Sequence, residues 1–307
     1  MARRSWVPLL GIMIVMLASC AVTATAQEAA EPGVLRIATT TSLYDTGLLD
    51  ELELMYENTS GVDVQITAQG TGQSLDTARR GDVDLVLVHA PSLEQQFIDE
   101  GYGINQRCFA YNNFIIVGPE SDPAGIANMT PEEAFRTIYV AGTNETPGVV
   151  FVSRGDESGT HTREQQIWEA AGYNYTQDIQ DSGNWYLETG SGMGETLTIA
   201  NQREGYTLSD IGTYLAFQDQ LNLVQLVTEG DQLLNRYSAI AVNPESVQGV
   251  NIDEANNFID WLISDETKEY IGNYGVEEYG QPLFVPLYAP ECTEPPFNCT
   301  CAEPVTA

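Results

Sequence analysis

Apolar positions along the chain follow two alternating rhythms. Short runs rich in β-branched and aromatic residues occur at 34–38, 62–67, 84–89, 114–117, 149–152, 223–227 and 237–242, and they read as strands. Between them, apolar residues spaced three and four apart predict helices at 48–58, 73–80, 93–100, 131–139, 162–171, 193–203, 253–264 and 266–274. Strands alternating with helices build parallel βαβ units, so the pattern predicts an open α/β sheet. No internal repeat interrupts it, and the one low-complexity segment is the tail, "PECTEPPFNCTCAEPVTA". In such sheets ligands sit beyond the carboxyl ends of strands, where loops enter helix N-termini. The chemistry is therefore expected in those loops.

The N-terminus follows a different pattern. Arg3 and Arg4 precede an apolar run at 7–18, which has the charged start and short apolar stretch of a secretory signal. A membrane-spanning helix needs about 20 apolar residues, and this run is shorter. Leu17-Ala18-Ser19-Cys20 has the form of a lipobox, which makes 1–20 the signal peptide and Cys20 the lipidated residue. Ala24-Thr25-Ala26 offers a competing cut that releases an unanchored protein, and Cys20 is then an incidental cysteine. Either way the chain is expected to be exported, to the cell surface or periplasm, and anchored at Cys20 in the first case. Cysteine usage agrees: Cys108, Cys292, Cys299 and Cys301 remain, an even number suited to disulfides. A ring between Cys299 and Cys301 would be strained. Two pairings are left, and both staple the tail, 291–307, to the domain. A metal site at Cys-x-Cys is the other reading, with no histidine nearby to support it; no metal or cofactor is assigned.

Charge narrows the partners. The chain has 44 acidic and 12 basic residues, a net charge of −32, and without Arg3 and Arg4 the balance is 10 − 44 = −34. Such an excess of carboxylate excludes nucleic acid and anionic membrane surfaces, and leaves a lipid anchor as the only membrane contact. It suits a saline setting, where charges are screened over about 10 Å or less. Sequons at Asn58, Asn128, Asn144, Asn174 and Asn298 are compatible with an exported surface protein.

Four polar loops lie at predicted strand ends. "ATTTSLYDTG" puts Thr40, Thr41 and Ser42 before a helix, where hydroxyls and free N–H groups can surround an oxyanion; an ordinary N-cap needs only one of them. "AQGTGQSL" brings Gly70 and Gly72, which allow close backbone approach, and Ser74 as a donor. "ETGSGMGETL" sets Gly190, Gly192, Met193 and Gly194 before another helix, by itself a tight turn. "FVSRGDESGTH" carries Arg154, whose fork of donors suits oxyanions, with Asp156 placed to hold the guanidinium and Ser158 and Thr160 opening the next helix. A structural ion pair at a helix start is the plain alternative for this last loop.

The strings "RIATTTSLYDTGLLDELE", "GDVDLVLVHAP", "FIDEGYG", "YNNFIIVGPESDPAG", "FVSRGDESGTH", "ETGSGMGETLTIANQREGYTLSDIGTYLAF" and "EYGQPLF" occur in that order. Together they resemble the tungstate-binding proteins of ABC-type uptake systems, over roughly Leu35 to Phe284. The resemblance implies a two-lobed, type II periplasmic-binding-protein fold in which each lobe is an open, mainly parallel sheet flanked by helices. Lobe 1 is expected at 31–112 plus 229–290 and lobe 2 at 113–228, closing over an oxyanion. It further implies that Thr40, Thr41, Ser42 and Arg154 hold the ligand with Ser74 as a further donor, and that a permease and its ATPase are the partners of a monomer. Gly72, Ser158, Thr160, Gly192, Met193 and Gly194 complete the expected ligand shell, with Asp156 behind Arg154. One departure stands out: the family usually reads D-R-G-T-Y where this chain has Asp210-Ile211-Gly212-Thr213-Tyr214.

A tetrahedral dianion has only acceptor oxygens, so its site needs donors throughout and no ionised carboxylate pointing inward. Phosphate carries a proton near neutral pH and benefits from a carboxylate acceptor, for which Asp45 and Glu195 are the candidates. Molybdate and tungstate are too alike for donor counting to rank them. A hydrolase is the rival from another class, since Ser158, His161 and Asp156 are triad residue types. Three members so close in sequence could hardly align as nucleophile, base and orienter, however, and no G-x-S-x-G or H-E-x-x-H motif occurs. His89, at a strand end, reads as a hydrogen-bonded structural residue. A surface adhesion protein would fit the acidity but would not require the four loops to converge. The charge carries a kinetic expectation: oxyanion association, followed by stopped flow, should accelerate as salt is added. A rate that falls with salt would count against a field-opposed, contact-held site.

Overall fold

A computed structural model describes residues 33–305, so the expected signal peptide, the lipobox at Cys20 and the alternative cut after Ala26 lie outside the described residues. The strands are β1 (Val34–Thr40), β2 (Asp63–Gln69), β3 (Leu85–Val88), β4 (Gly103–Pro119), β5 (Phe151–Ser153), β6 (Tyr186–Glu188), β7 (Thr207–Asp210), β8 (Leu223–Val227), β9 (Leu234–Val242) and β10 (Val285–Pro286). The helices are α1 (Thr41–Tyr44), α2 (Leu48–Ser60), α3 (Thr71–Arg79), α4 (Pro91–Asp99), α5 (Pro131–Thr143), α6 (Gly159–Ala170), α7 (Met193–Arg203), α8 (Ile211–Phe217), α9 (Ile252–Leu262), α10 (Asp265–Asn273) and α11 (Val276–Tyr279). Among the described residues no helix is long and apolar enough to cross a membrane.

The larger sheet runs β10-β4-β9-β3-β1-β2, with β7 and β8 attached to the far half of β4. β2, β1 and β3 are parallel, as their βαβ connections require. β9 returns antiparallel to β3 and β4, and β7 and β8 return antiparallel to β4. A second parallel pair, β5 with β6, is joined to the β7 end by the Phe151–Tyr206 bridge. The α/β class is as the sequence indicates, and the antiparallel strands are an addition to it. They enter because β4 runs for 17 residues where the apolar pattern marks only 114–117. Its first half carries Asn105, Gln106 and Arg107 and two register shifts, with Asn105 at φ +56°. Bulges of this kind break the alternation that signals a strand.

Side-chain alternation shows which faces are covered. In β3, Leu85 and Leu87 pack into one apolar cluster and Val86 and Val88 into another, so the strand is buried on both faces and reads as an unbroken apolar run. In β4, Phe114 and Ile116 face the cluster built around Trp168, while Ile115 and Val117 face the cluster shared with α7 and α8. β4 pairs with β9 as far as Asn113↔Leu234 and with β7 from Phe114↔Asp210. The chain thus changes pairing partner between two adjacent residues.

The tail is bound across these strands. Cys108 of β4 is bonded to Cys299, and Cys292 to Cys301, which selects one of the two pairings left open and assigns all four thiols to disulfides. Cys108 N donates to Thr300 O at 2.8 Å, Arg236 Nη1 to Phe297 O at 2.7 Å, and buried Lys268 Nζ to Cys301 O at 2.8 Å. The Cys108–Cys299 bond closes a separation of 191 residues, so it removes much freedom from the unfolded chain. Replacing both cysteines with serine should lower unfolding stability by about 2–5 kcal/mol, read as a shifted urea midpoint. An unchanged midpoint would mean that the tail's hydrogen bonds suffice without the covalent link.

Candidate functional site

The four polar loops meet. Arg154, one residue beyond β5, donates from Nη2 to Thr41 Oγ1 at 3.1 Å. Its carbonyl accepts Gly190 N at 2.8 Å and Thr189 Oγ1 at 3.2 Å. A Cβ on Gly70 would stand 3.2 Å from the Asp156 carbonyl, and one on Gly192 would stand 3.4 Å from Thr41 Oγ1. Thr213, in α8, shares its hydroxyl proton between Asp210 Oδ2 at 2.7 Å and Ser42 O at 3.2 Å. Segments from β1, β2, β5 and β6 therefore close on one another at their carboxyl ends.

Arg154 is 1% exposed. Asp156 Oδ2 lies 2.5 Å from its Nη2, and Asp156 Oδ1 accepts Ser158 N at 3.2 Å, so the carboxylate holds one edge of the guanidinium and the loop behind it. Among the described residues, Nε and Nη1 of Arg154 are buried without a hydrogen-bond partner. Two hydroxyls share that condition: Thr71 Oγ1, at the start of α3, and Thr160 Oγ1, in the first turn of α6. Most buried donors in folded proteins are paired. Among the described residues these four buried donor atoms, on two touching loops, are left without an acceptor.

The expected donors divide into free and engaged groups. Thr40 N-caps α1 by accepting Leu43 N at 3.3 Å, which leaves its hydroxyl proton free to donate. Ser158 N-caps α6, accepting His161 N at 3.2 Å. Ser74 is different: its proton goes to Thr39 O at 2.9 Å, so it braces β1, and Thr71 is the free hydroxyl of that loop. Sequence reading passed over Thr71, although it stands between the two glycines that drew attention. Met193 is buried in the apolar core, so only the backbone of Gly192, Met193 and Gly194 at the start of α7 is polar there. Gly72 lies 3.7 Å, as a built Cβ, from Glu157 O.

Ser42 is engaged through a buried chain whose polarity is fixed from one end. Leu283 O can only accept, so Asn112 Nδ2 donates to it at 3.3 Å; Asn112 Oδ1 accepts Asn235 Nδ2 at 2.9 Å. Asn235 Oδ1 then accepts His89 Nδ1–H at 2.9 Å, which leaves His89 Nε2 as the acceptor of Ser42 Oγ–H at 3.1 Å. Ser42, expected as a ligand donor, thus spends its proton on His89. His89 is structural, as its position suggested, and burial pushes its pKa down to about 4. Ser42, His89 and Asn235 stand in the order of nucleophile, base and orienter, but Ser42 is fully buried and an imidazole with its pKa pushed down to about 4 is a weak base. Ser158 and His161 form no dyad, because His161's ring nitrogens meet Glu157 N and Tyr175 OH.

Asp210 is buried beside Ile211, the position that departs from the family pattern. Burial pushes it up to about 6, against the Thr213 hydrogen bonds and the charge of Arg154. Thr213 thereby supports it without an ion pair. Below the loop, burial raises Glu164 to about 7 while Ser153, Tyr186 and Trp168 donate to it. Asp45 is exposed at the rim; desolvation raises its pKa, opposed by Arg154 and the Gly194 N–H. Glu195 is exposed in the first turn of α7.

A family model described as a PBP superfamily domain matches residues 24–266. The chain is 46% identical over 258 residues to a Haloferax volcanii protein provisionally named an ABC transporter anion-binding protein, covering 82% of this chain and 71% of that one. It is 36% identical over 254 residues to the tungstate-binding protein TupA of Peptoclostridium acidaminophilum, covering 83% and 86%. Among solved structures, the tungstate binding protein TupA from Desulfovibrio alaskensis G20 matches with a TM-score of 0.68 at 39% identity, over 83% of this chain and 99% of that one.

Hydroxyls without partners contribute no hydrogen bond to the empty fold. Thr160→Val and Thr71→Val should therefore leave thermal stability unchanged or raise it, by at most about 1 kcal/mol, while weakening oxyanion binding. Loss of stability in both variants would assign these hydroxyls a structural role.

Proposed function

The chain belongs to the PBP superfamily and, within it, to the tungstate-binding substrate-binding proteins of ABC transporters; from that premise we propose that it captures tungstate outside the cytoplasm and hands it to a permease driven by its ATPase. One observation carries the reading: Arg154 is buried, with Nε and Nη1 left without partners. A guanidinium taken out of water is costly unless its charge and donors are matched, and a tetrahedral dianion offers acceptors on every side. Thr71, Thr160 and Thr40 hydroxyls, with the backbone N–H groups at the starts of α3 and α6, are the further donors we assign to it. Asp156 neutralises part of the arginine charge and keeps the fork aimed.

In this reading the two lobes are 31–112 with 229–290 and 113–228. Entry and release require the Arg154–Thr41 and Thr213–Ser42 contacts to part. No turnover is involved, no cofactor is needed, and the protein acts as a monomer anchored through Cys20. The site favours a fully ionised dianion over protonated phosphate, because Asp156 already faces Arg154 and Ser158 N, Asp45 already accepts the Gly194 N–H, and Glu195 is exposed.

Calorimetric titration of the mature chain with tungstate, molybdate, phosphate and sulfate tests this. Tungstate should bind tightly, and Arg154→Ala should weaken it by at least about 100-fold, the scale of losing two or more charge-assisted hydrogen bonds. Binding of phosphate alone would reassign the cargo, and an Arg154→Ala variant with unaltered affinity would remove Arg154 from the site.

A further inference from the structure

The loop that presents Arg154 is held from behind by a histidine. Gly155 and Glu157 both have left-handed backbone, at φ +59° and +57°. Glycine adopts this readily, and a Cβ on Gly155 would meet Glu188 Cβ at 2.7 Å. Glu157 has no such freedom, so its conformation persists only where contacts impose it. One such contact is the Glu157 N–H, which donates to His161 Nδ1 at 3.0 Å. An N–H can only donate, so Nδ1 carries no proton and the imidazole proton is on Nε2. Nε2 donates to Tyr175 OH at 2.7 Å, and Tyr175, in the π-helical turn Tyr175–Ile179, donates to Glu188.

We propose that His161 is a positioning residue for the anion-binding loop, and that its protonation loosens the grip on the ligand. The inference rests on Arg154 being the anion's ligand. Neutral His161 accepts the Glu157 N–H and so fixes the turn that aims the guanidinium. Protonated, both ring nitrogens donate, and two N–H groups confront each other where one bond held the loop. A positive imidazolium would also draw an anion toward it. Asp156, Glu157, Glu188 and Tyr175 surround the ring, however, and three of these are carboxylates that offset the added charge. The loop's geometry therefore governs the sign.

His161 lines a pocket of about 590 Å³ together with Gly155, Glu157, Gln165, Tyr175 and Glu188. Burial lowers the His161 pKa, with Arg154 acting in the same direction and Asp156, Glu188 and Glu157 opposing. The accepting form is thus the one present at neutral pH, and it is lost as pH falls below the ordinary histidine range. By reciprocity, bound anion must make His161 harder to protonate.

The chain has two histidines, so imidazole NMR resolves both, and His161→Asn assigns them. The full mature chain would be titrated with low-micromolar tungstate at about pH 7.5 and about pH 5.5, either side of the histidine range. Wild type should bind measurably more weakly at the lower pH, by no more than about tenfold, because the midpoint of His161 lies below the ordinary histidine value and linkage through one proton is limited by how far pH falls beneath it. His161→Asn, which retains an acceptor that does not protonate, should lose this weakening; any slope left by Asp210, whose pKa of about 6 lies in the same window, should have the opposite sign, because protonating a carboxylate near Arg154 favours the anion. In the empty wild type, the Glu157 amide resonance should shift with the His161 midpoint, and tungstate should lower that midpoint. Any of three results overturns the inference: the wild-type slope surviving in His161→Asn, affinity rising on protonation, or a Glu157 amide indifferent to the His161 titration. Absence of binding at every pH would overturn the tungstate reading and this inference with it.

Discussion

A single incompletely satisfied guanidinium sets the terms for the site. Burying Arg154 removes it from water at a cost of several kcal/mol unless it is paired and hydrogen-bonded. Asp156 and Thr41 meet only Nη2, and Nε and Nη1 remain unmatched. The fold tolerates this because the arginine has nowhere else to go. Its loop is fixed by the end of β5, by the Ser158 cap of α6, by the left-handed turn at Gly155 and Glu157, and by bonds from Thr189 and Gly190 to its carbonyl. Rigid presentation of unmatched donors avoids reorganisation when an anion arrives, and such preorganisation favours tight binding.

A second network ties the threonine-serine loop to the strands where pairing changes. The chain Ser42, His89, Asn235, Asn112 runs from α1 through the end of β3 to β9 and β4, all buried. Every member has its hydrogen bonds matched, so the network specifies one arrangement of these elements. His89 is kept neutral by burial, which leaves its Nε2 lone pair available to Ser42. The tail adds a covalent clasp on the opposite side of β4 through Cys108. The strands that change partner are thus braced from both sides.

The acidity of the chain and its donor-lined site are compatible because they act over different ranges. A net charge of −32 repels anions at a distance and is screened by salt, whereas charge-assisted hydrogen bonds act at contact. The cationic charge is also placed economically. Arg154 is buried at the meeting of the loops, Arg36 pairs with Asp84, and Arg236 pairs with Glu94 beside the tail.

The sequence alone determined the α/β class and most of the longer elements, and it singled out the strand-end loops that the fold brings together. Hydrophobic periodicity is a local property, so β1, β3, α7 and the strand-end loops were legible within a few residues, and Arg154 with Asp156 could be read from their spacing. The parallel units follow from strands alternating with helices. The bulged first half of β4 was hidden, because its pairing with β9 depends on residues more than a hundred positions away. The same limit applied to the cysteines, where spacing left two pairings and only the approach of Cys299 to Cys108 chose between them. It applied most sharply to the hydroxyls. Ser42 and Ser74 looked equivalent to Thr160 as donors and Thr71 was passed over, yet the two serines spend their protons on His89 and Thr39 while the two threonines have no partner among the described residues. A hydroxyl has one proton, and what lies across from it in space decides where that proton goes.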